Sequence, residues 1–506
     1  MNSRIYNTRR NLVASYILMV AQIMFSFISR TAIVYTLGTD YLGLSSLFTS
    51  ILQVLNIAES GFSSSVIYFM YKPIAAGDTR LVCALLNYLR KVYKVVGLVI
   101  LFVGILVTPF IDYLIKGDVP NDINIYILYL LYLVNTSISY FLYAYKTSLL
   151  TAIQRLDLTK VANTITIVIQ YGLQLIALFI FHSYYMFVIV MVLGTGCVNI
   201  FTAYISDKKY PEYKCEGEID SAAKKNILQK VKGLLICNIS GVTYNAFDSI
   251  IISAYIGLSS VAIYNNYYVI INTVSSFILL VRASMQASVA NSVACETTEK
   301  NLNDLKLWQF LFSLIATLCT ACLICLFQPL MKVWMGEHML LPFVDVILLG
   351  MWFISGTVQQ AFYLYLNAAG LWHELKWVYI FSTIFNLCMN ILLGKLIGMT
   401  GIILASLLAG IVFGLFWQCT IILRQCFKIP SAEYIRQQFL YFVIAAFITI
   451  VTYTSCNLII WEGIEGLIIK AVLSVVVATL LILLIYHRSP YFNRSKQIFL
   501  KIIHKQ

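Results

Sequence analysis

Residues 11–72 read NLVASYILMVAQIMFSFISRTAIVYTLGTDYLGLSSLFTSILQVLNIAESGFSSSVIYFMYK. Two apolar runs of spanning length are separated by Leu37-Gly38-Thr39-Asp40, so the stretch predicts a hairpin of two membrane helices. Each run carries a charge that lipid rejects. Arg30 stands 20 residues beyond Arg10. At a rise of about 1.5 Å per residue, that puts it in the outer half of a hydrocarbon layer roughly 30 Å thick. Glu59 falls near the middle of the second run. A charge at such depth costs at least about 2.5–3.5 kcal/mol on insertion scales, so each is expected to face protein or a water-filled cavity.

The rest of the chain continues the pattern. Of its 506 residues, 60% are hydrophobic and 11% charged, with mean hydropathy +0.84; a soluble domain has about 25% charged residues. Hydropathy and turn residues predict fourteen spans, at about 11–37, 42–70, 92–114, 123–145, 158–181, 184–206, 231–256, 261–289, 307–331, 343–366, 375–397, 400–423, 438–460 and 464–486. The expected fold class is therefore an all-α polytopic membrane protein, with no room for a soluble domain. The first run is too long for a signal-peptide core and lacks a small-residue cleavage site, so it reads as an uncleaved span.

The net charge of +13 does not indicate nucleic acid, because the basic residues fall in alternate connections. Arg4, Arg9, Arg10, Lys72, Arg80, Arg90, Lys91, Lys94, Lys146, Arg155, Lys160, the cluster Lys208–Lys232, Lys300, Lys306, Lys376, Arg424, Lys428, Arg436 and the tail from Arg488 to Lys505 share one side. The other side has little beyond Lys116, Lys332, Lys395 and Lys470, and its loops are acidic (Asp40, Asp118, Asp122, Glu337, Glu462, Glu465). Positive-inside bias then makes both termini cytoplasmic; a bacterial inner membrane is what the family resemblance given below implies. The twelve cysteines lie mostly within spans, which argues against a disulfide scaffold. Cys319-x-x-Cys322-x-x-Cys325 has no His or fourth Cys at ligand spacing and reads as apolar packing.

The longest soluble connection, 207–230, falls near mid-chain and reads as a cytoplasmic linker. An offset of about 220 residues aligns Leu37-Gly38 with Ile256-Gly257, Thr108-Pro109-Phe110 with Gln328-Pro329-Leu330, and Tyr143-x-Tyr145 with Tyr363-x-Tyr365. With six spans per half the repeats are parallel. The expected organisation is an N-lobe over 1–206, the linker, a C-lobe over 231–423, two added helices over 424–486 and a cytoplasmic tail over 487–506.

Four helices carry polar stripes at helical spacing, as cavity-lining helices do. The first has Ser15, Gln22, Ser26 and Arg30; the second Thr49, Gln53, Asn56, Ser60 and Ser63, with Glu59 beside them. The seventh has Asn238, Gly241, Asn245 and Asp248; the eighth Asn265, Tyr268, Asn272, Ser275, Arg282 and Gln286. These are the first two helices of each repeat. An ordinary helix-adhesive role is the alternative for any single neutral residue, and an Arg30 ion pair with Glu59 or Asp248 is the alternative for the charges. Asn163, Thr166, Gln170 and Gln174, and their counterparts Ser382, Asn386 and Asn390, are weaker wall candidates. Tyr264, Tyr267 and Tyr268 are candidates for stacking on sugar rings, and Gly410-x-x-x-Gly414 for close helix packing.

The hairpin from Leu37 to Asp78 resembles the corresponding part of the polysaccharide transporters of the MOP superfamily, the Wzx-type flippases for O-antigen and capsule repeat units. Leu42-Gly43-Leu44, Leu47-Phe48, Glu59-x-Gly61 and Tyr71-Lys72-Pro73 followed by Asp78 carry the likeness. The resemblance implies two six-helix lobes in a V that open alternately to either side of the membrane. It implies as substrate an oligosaccharide on undecaprenyl pyrophosphate, with the lipid outside and the head group in the cavity. A polysaccharide polymerase and glycosyltransferases are the partners it implies. No cofactor is expected; proton and sodium both stay open as coupling ions.

Arg30 and Arg282 are expected to offer planar donor forks to the pyrophosphate from the two lobes. Lys72 is placed at the cytoplasmic mouth, where its alternative is an ordinary snorkelling lysine. Two rival functions stand against this. A cation-coupled drug antiporter of the same superfamily would be expected to carry an acid in the N-lobe, whereas the first span has Arg30. A membrane polymerase or glycosyltransferase would be expected to have a large outer loop and clustered acid–base residues; here the loops are short and the five histidines dispersed.

Overall fold

The structure, a computed structural model, describes the backbone of residues 2–117 and 119–503; side chains at 2–9, 12, 57, 58, 60, 230, 232–241, 244 and 497–503 are excepted. Ser60, Asn238 and Gly241 of the stripes thus lie outside the described side chains. Among the described residues the chain is helical, without strands. The first helices are α1 (Asn2–Thr36), α2 (Thr39–Leu55), α3 (Ile57–Ala76), α4 (Thr79–Val107), α5 (Ile125–Phe141), α6 (Tyr145–Ala152), α7 (Leu156–Phe179), α8 (Tyr184–Lys209) and α9 (Ser221–Tyr255). There follow α10 (Leu258–Cys295), α11 (Thr298–Met335), α12 (Phe343–Val358), α13 (Gln360–Ala369) and α14 (Trp372–Ala409). The run continues through π-helical Gly410–Gln418, α15 (Cys419–Ile422) and π-helical Leu423–Phe427, then α16 (Ala432–Asn457), α17 (Gly463–Tyr486) and α18 (Pro490–Ile503).

By length and composition ten of these helices can cross a membrane, or eleven with the bent pair α5–α6 counted as one span. The ten include a single 56-residue run, Trp372–Phe427. It breaks at Ile397 and Gly398, whose backbone is non-helical, and at about 1.5 Å per residue it is long enough for two crossings. Fourteen crossings follow only if that run counts twice and the α2–α3 pair and α9 once each.

Packing groups residues 1–262 into one compact unit and 263–506 into another. In the first, α1 lies along α7, α7 against α8, and α9 packs on α2 and α3. In the second, α11 is central, packed by α12, α16 and α17. Phe310, Ala321, Tyr441, Ile448, Ala478 and Tyr486 form one of its cores. This division falls after α9, whereas the sequence repeat divides the chain at 207–230; the two lobes remain a proposal drawn from the repeat.

The repeat's punctuation has a backbone counterpart. Gly38 and Gly257 both have positive φ, 118° and 136°, values that glycine adopts without a Cβ penalty. The spans at about 123–145 and 343–366 are both broken, at 142–144 between α5 and α6 and at Gln359 between α12 and α13. The turns of the first unit also meet. Lys116 donates from its backbone to Ser253 O (3.0 Å) and from Nζ to Tyr255 O (2.6 Å). Thr39 Oγ1 lies 3.1 Å from Ser259 Oγ, which donates to Asp40. Gly43 sits so close to Leu258 that a Cβ there would be 2.2 Å from its carbonyl oxygen.

Between α8 and α9 the connection spans 210–220 and is tied down by hydrogen bonds. Helices α8 and α9 reach in to Lys209 and Ser221, and the residues between are strapped onto α4 and α6. Asn87 Nδ2 donates to Gly217 O at 2.8 Å, Lys91 pairs with Glu218 at 2.8 Å, and Lys146 pairs with Asp207. Lys91 holds the Glu218 carboxyl below its usual range. Asp220 then caps α9 by accepting from Ala223 N.

Candidate functional site

The resemblance motif Tyr71-Lys72-Pro73 with Asp78 is first of all a helix stop and start. Gly77 ends α3 in the left-handed conformation, and the Asp78 side chain accepts from Leu81 N to cap α4. Lys72 is exposed near the end of α3.

The polar residues of the second span have a different use. The span is interrupted at Asn56, where α2 hands over to α3, and Glu59 falls in the first turn of α3, a favourable place for a carboxylate. A break at this depth survives only where the freed backbone lines protein or a cavity, and here there is one. A cavity of about 610 Å³ lies within the first unit, lined by Gln53, Asn56 and Glu59 on one wall. Facing them are Tyr140, Ala144, Thr147 and Ser148, from either side of the α5–α6 break, which bends the pair by 49°. Two broken helices thus meet across it.

The wall is fully hydrogen-bonded where it carries charge. Tyr93 donates to Glu59 Oε1 and Tyr140 to Glu59 Oε2, each at 2.8 Å, and the Tyr140 hydroxyl is also 3.1 Å from Asn56 Oδ1. Thr195 donates to Asn135 (2.7 Å), Asn199 to Ser139 (3.1 Å), and Ser63 lies 3.1 Å from Ser148. Glu59 is the sole carboxylate among the described lining residues, and no Lys, Arg or His lines the cavity with it. The surface is one of hydroxyls, carboxamides, aromatic rings and one anion.

The structure brings Gln53, Asn56 and Glu59 together in this cavity; the other expected binding residues are not among those lining it. Arg30 is half-buried on α1, within electrostatic range of Tyr171 and Tyr184, and is not a lining residue of this cavity. Gln22 is exposed on α1. Asp248 is buried on α9, and Asn245, one turn before it, has its Oδ1 shielded without a hydrogen-bond partner. Asn272 is exposed on α10.

Arg282, in the second unit, donates to Gln360 Oε1 at 2.8 Å and lies 5.4 Å over the Tyr363 ring. Gln360 opens α13 just past the α12–α13 break, at the repeat counterpart of Tyr140. Each unit thus ties a charge from its second repeat helix to the break in its fourth, with the sign exchanged. The exchanged signs on corresponding helices are readable from the sequence; the tie of each charge to a helix break is not.

Sequence reasoning also missed the wall supplied by α5 and α8. Asn135 with Ser139, and Thr195 with Asn199, each stand four residues apart, the signal that was read on other helices. Conversely, several expected wall residues are adhesives. Gln174 bonds Phe187 O at 3.2 Å, joining α7 to α8, and Asn386 bonds Ser406 at 2.9 Å within the folded-back α14 run. Of the tyrosine cluster, Tyr267 is buried with its hydroxyl bonded to Gln328 and Leu341 N, and Tyr264 stacks on Tyr268. Gly414 meets Gln359 so closely that a Cβ would be 2.3 Å from its Oε1.

Paired breaks around a cavity, in a chain of apolar helices without strands among the described residues, are the features of a membrane-transporter fold. Solved structures with this fold share little sequence with the chain. A multidrug resistance MATE family transporter of the MOP superfamily, inward-facing, matches with TM-score 0.65 and 15% identity, over 81% of this chain and 98% of its own. The lipid II flippase MurJ in an inward closed conformation matches with TM-score 0.64 and 16% identity, over 94% and 98%. A Vibrio cholerae MATE transporter matches with TM-score 0.59 and 13% identity, over 87% and 100%. No curated protein sequence matches. The model of the family described as polysaccharide biosynthesis protein matches residues 9–289, more than half the chain, and the chain belongs to that family.

Proposed function

We propose that the chain is a flippase that moves undecaprenyl-pyrophosphate-linked oligosaccharide repeat units from the inner to the outer leaflet of the bacterial cytoplasmic membrane by alternating access. Surface polysaccharide assembly is its purpose, with O-antigen or capsule as the product, and both termini face the cytoplasm. Family membership supports the polysaccharide link, and the MurJ-like fold supports passage of a lipid-linked head group.

The observation that carries the reading is the cavity of the first unit. Hydroxyls and carboxamides at 3–4-residue spacing, with Tyr93, Tyr132 and Tyr140 among them, suit a polyhydroxylated ligand. Sugars offer hydroxyls as both donors and acceptors and apolar ring faces for aromatic side chains. A pyrophosphate would be repelled by Glu59, so the sugars belong in this cavity and the phosphates elsewhere. Arg30 and Arg282 are the phosphate candidates, each a planar fork of donors on a membrane helix.

The test is made in cells that depend on this chain for surface polysaccharide. Arg30→Ala and Arg282→Ala, at normal protein abundance, are expected to lower surface polysaccharide and raise lipid-linked intermediates. Wild-type levels of both would defeat the phosphate role. Asn135→Leu is expected to do the same through the sugar cavity.

A drug-antiport reading has one observation in its favour. Glu59 is a carboxylate alone among neutral groups, and this is also how a cavity would hold a proton or a cationic drug. Efflux of a cationic dye, lost in Glu59→Gln, would select that reading; dye accumulation unaffected by the chain would reject it.

A further inference from the structure

Among the described residues, the cavity of the first unit carries one charge and no cation to cancel it. Both Glu59 oxygens accept from phenols, one from Tyr93 and one from Tyr140, at 2.8 Å each. An ionised carboxylate is an acceptor at both oxygens, and phenols satisfy it without neutralising it. Arg90, Lys91, Lys94 and Lys146 stand within four residues of lining positions, yet none of them lines the cavity. Lys91 pairs with Glu218, Lys146 pairs with Asp207, and Arg90 donates to Asn87 at 2.9 Å. Lys94 is exposed.

The other polar lining groups are neutral: Thr49, Gln53, Thr136, Thr147 and the pairs Asn135 with Thr195 and Asn199 with Ser139. Such groups both donate and accept, so they suit the hydroxyls and acetamido groups of an uncharged sugar. A sugar carboxylate, phosphate or sulfate would instead meet Glu59 with no cation on the wall to receive it. Two like charges about 8 Å apart, at an effective dielectric constant of about 20, repel enough to weaken binding about 30-fold.

We propose that this cavity admits repeat units whose sugars are uncharged and rejects those bearing uronic acid or other acidic substituents, with Glu59 as the discriminating residue. The inference rests on the flippase reading for the kind of ligand. What it adds is the charge that the ligand's sugars must not carry.

The test uses two undecaprenyl-pyrophosphate-linked disaccharides that differ only at C6 of one hexose, a hydroxymethyl group in one and a carboxylate in the other. Each is titrated into the purified full chain in detergent, and its movement is followed in vesicles that contain the chain. The pyrophosphate is common to both, so the ratio of affinities isolates the sugar. The neutral compound is expected to bind about 30-fold more tightly. Glu59→Gln is expected to shrink that ratio to about threefold or less. Thr136→Lys adds a cation to the same wall and leaves Glu59 and its phenols in place; it is expected to shrink the ratio as well, and it serves where Glu59→Gln does not fold. Equal affinities in the wild-type chain, tighter binding of the acidic compound, binding of neither, or a ratio unchanged in both variants would overturn the proposal. A neutral compound that binds with the expected preference but is not moved in vesicles supports the charge rule and defeats the flippase reading.

Discussion

Gly43→Ala is expected to loosen the contact between α2 and the α9–α10 turn. The added Cβ would lie 2.2 Å from Leu258 O, 2.7 Å from its carbonyl carbon and 3.0 Å from its Cα. All three are backbone atoms, so no side-chain rotation relieves the overlap, and one chain must move by about 1 Å to restore ordinary contact. Overpacking of this kind costs about 1–3 kcal/mol, a five- to 150-fold shift away from the closed contact. The contact can be read with Thr39→Cys and Ser259→Cys, since the native oxygens are 3.1 Å apart. In membranes the double cysteine chain is expected to cross-link readily, since the two turns lie together within one compact unit. With Gly43→Ala added, the cross-linking rate should fall at least several-fold at unchanged protein abundance. Gly172→Ala, where a Cβ meets nothing within 4 Å, is the control and should leave the rate alone. An undiminished rate in the Gly43→Ala chain would refute the steric argument.

Tyr93→Phe and Tyr140→Phe each remove one donor from Glu59. A hydrogen bond to a charged group contributes about 1.5–3 kcal/mol, with the low end expected beside a wet cavity; in a double-mutant cycle on transport the two should couple, and strict additivity would show that they do not share Glu59. Arg282→Lys should keep part of the transport that Arg282→Ala loses if charge alone matters, whereas equal loss in both points to the planar fork held by Gln360. Asp78→Ala removes the α4 cap and should cost about 1 kcal/mol of stability, seen as a lower Tm with transport per folded molecule unchanged; an unchanged Tm would show that the cap is replaced.

Membrane class, helical content and the punctuation of the repeat were legible in the sequence because each is a local property. A run of apolar residues buries itself in lipid whatever its neighbours, and Gly38 and Gly257 mark turns because only glycine takes those angles readily. The charges at mid-depth were legible for the same reason, since lipid excludes them in any fold. What each polar residue does was not. Gln53 and Gln174 both sit in helical stripes, yet one lines a cavity and the other bonds a neighbouring helix.

Asn135 and Thr195 carried as good a signal as the residues that were chosen, and only the packing of α5 against α8 places them on the wall of the cavity that Glu59 lines. The sequence by itself determined that this chain crosses a membrane many times and harbours charges needing shelter. The tertiary structure alone decided that Glu59 is sheltered by Tyr93 and Tyr140, and Arg282 by Gln360. The physical reason is that burial in lipid follows from one residue's own chemistry. A hydrogen bond across 80 residues depends on which helix faces come together, and that is settled by the packing of the whole unit.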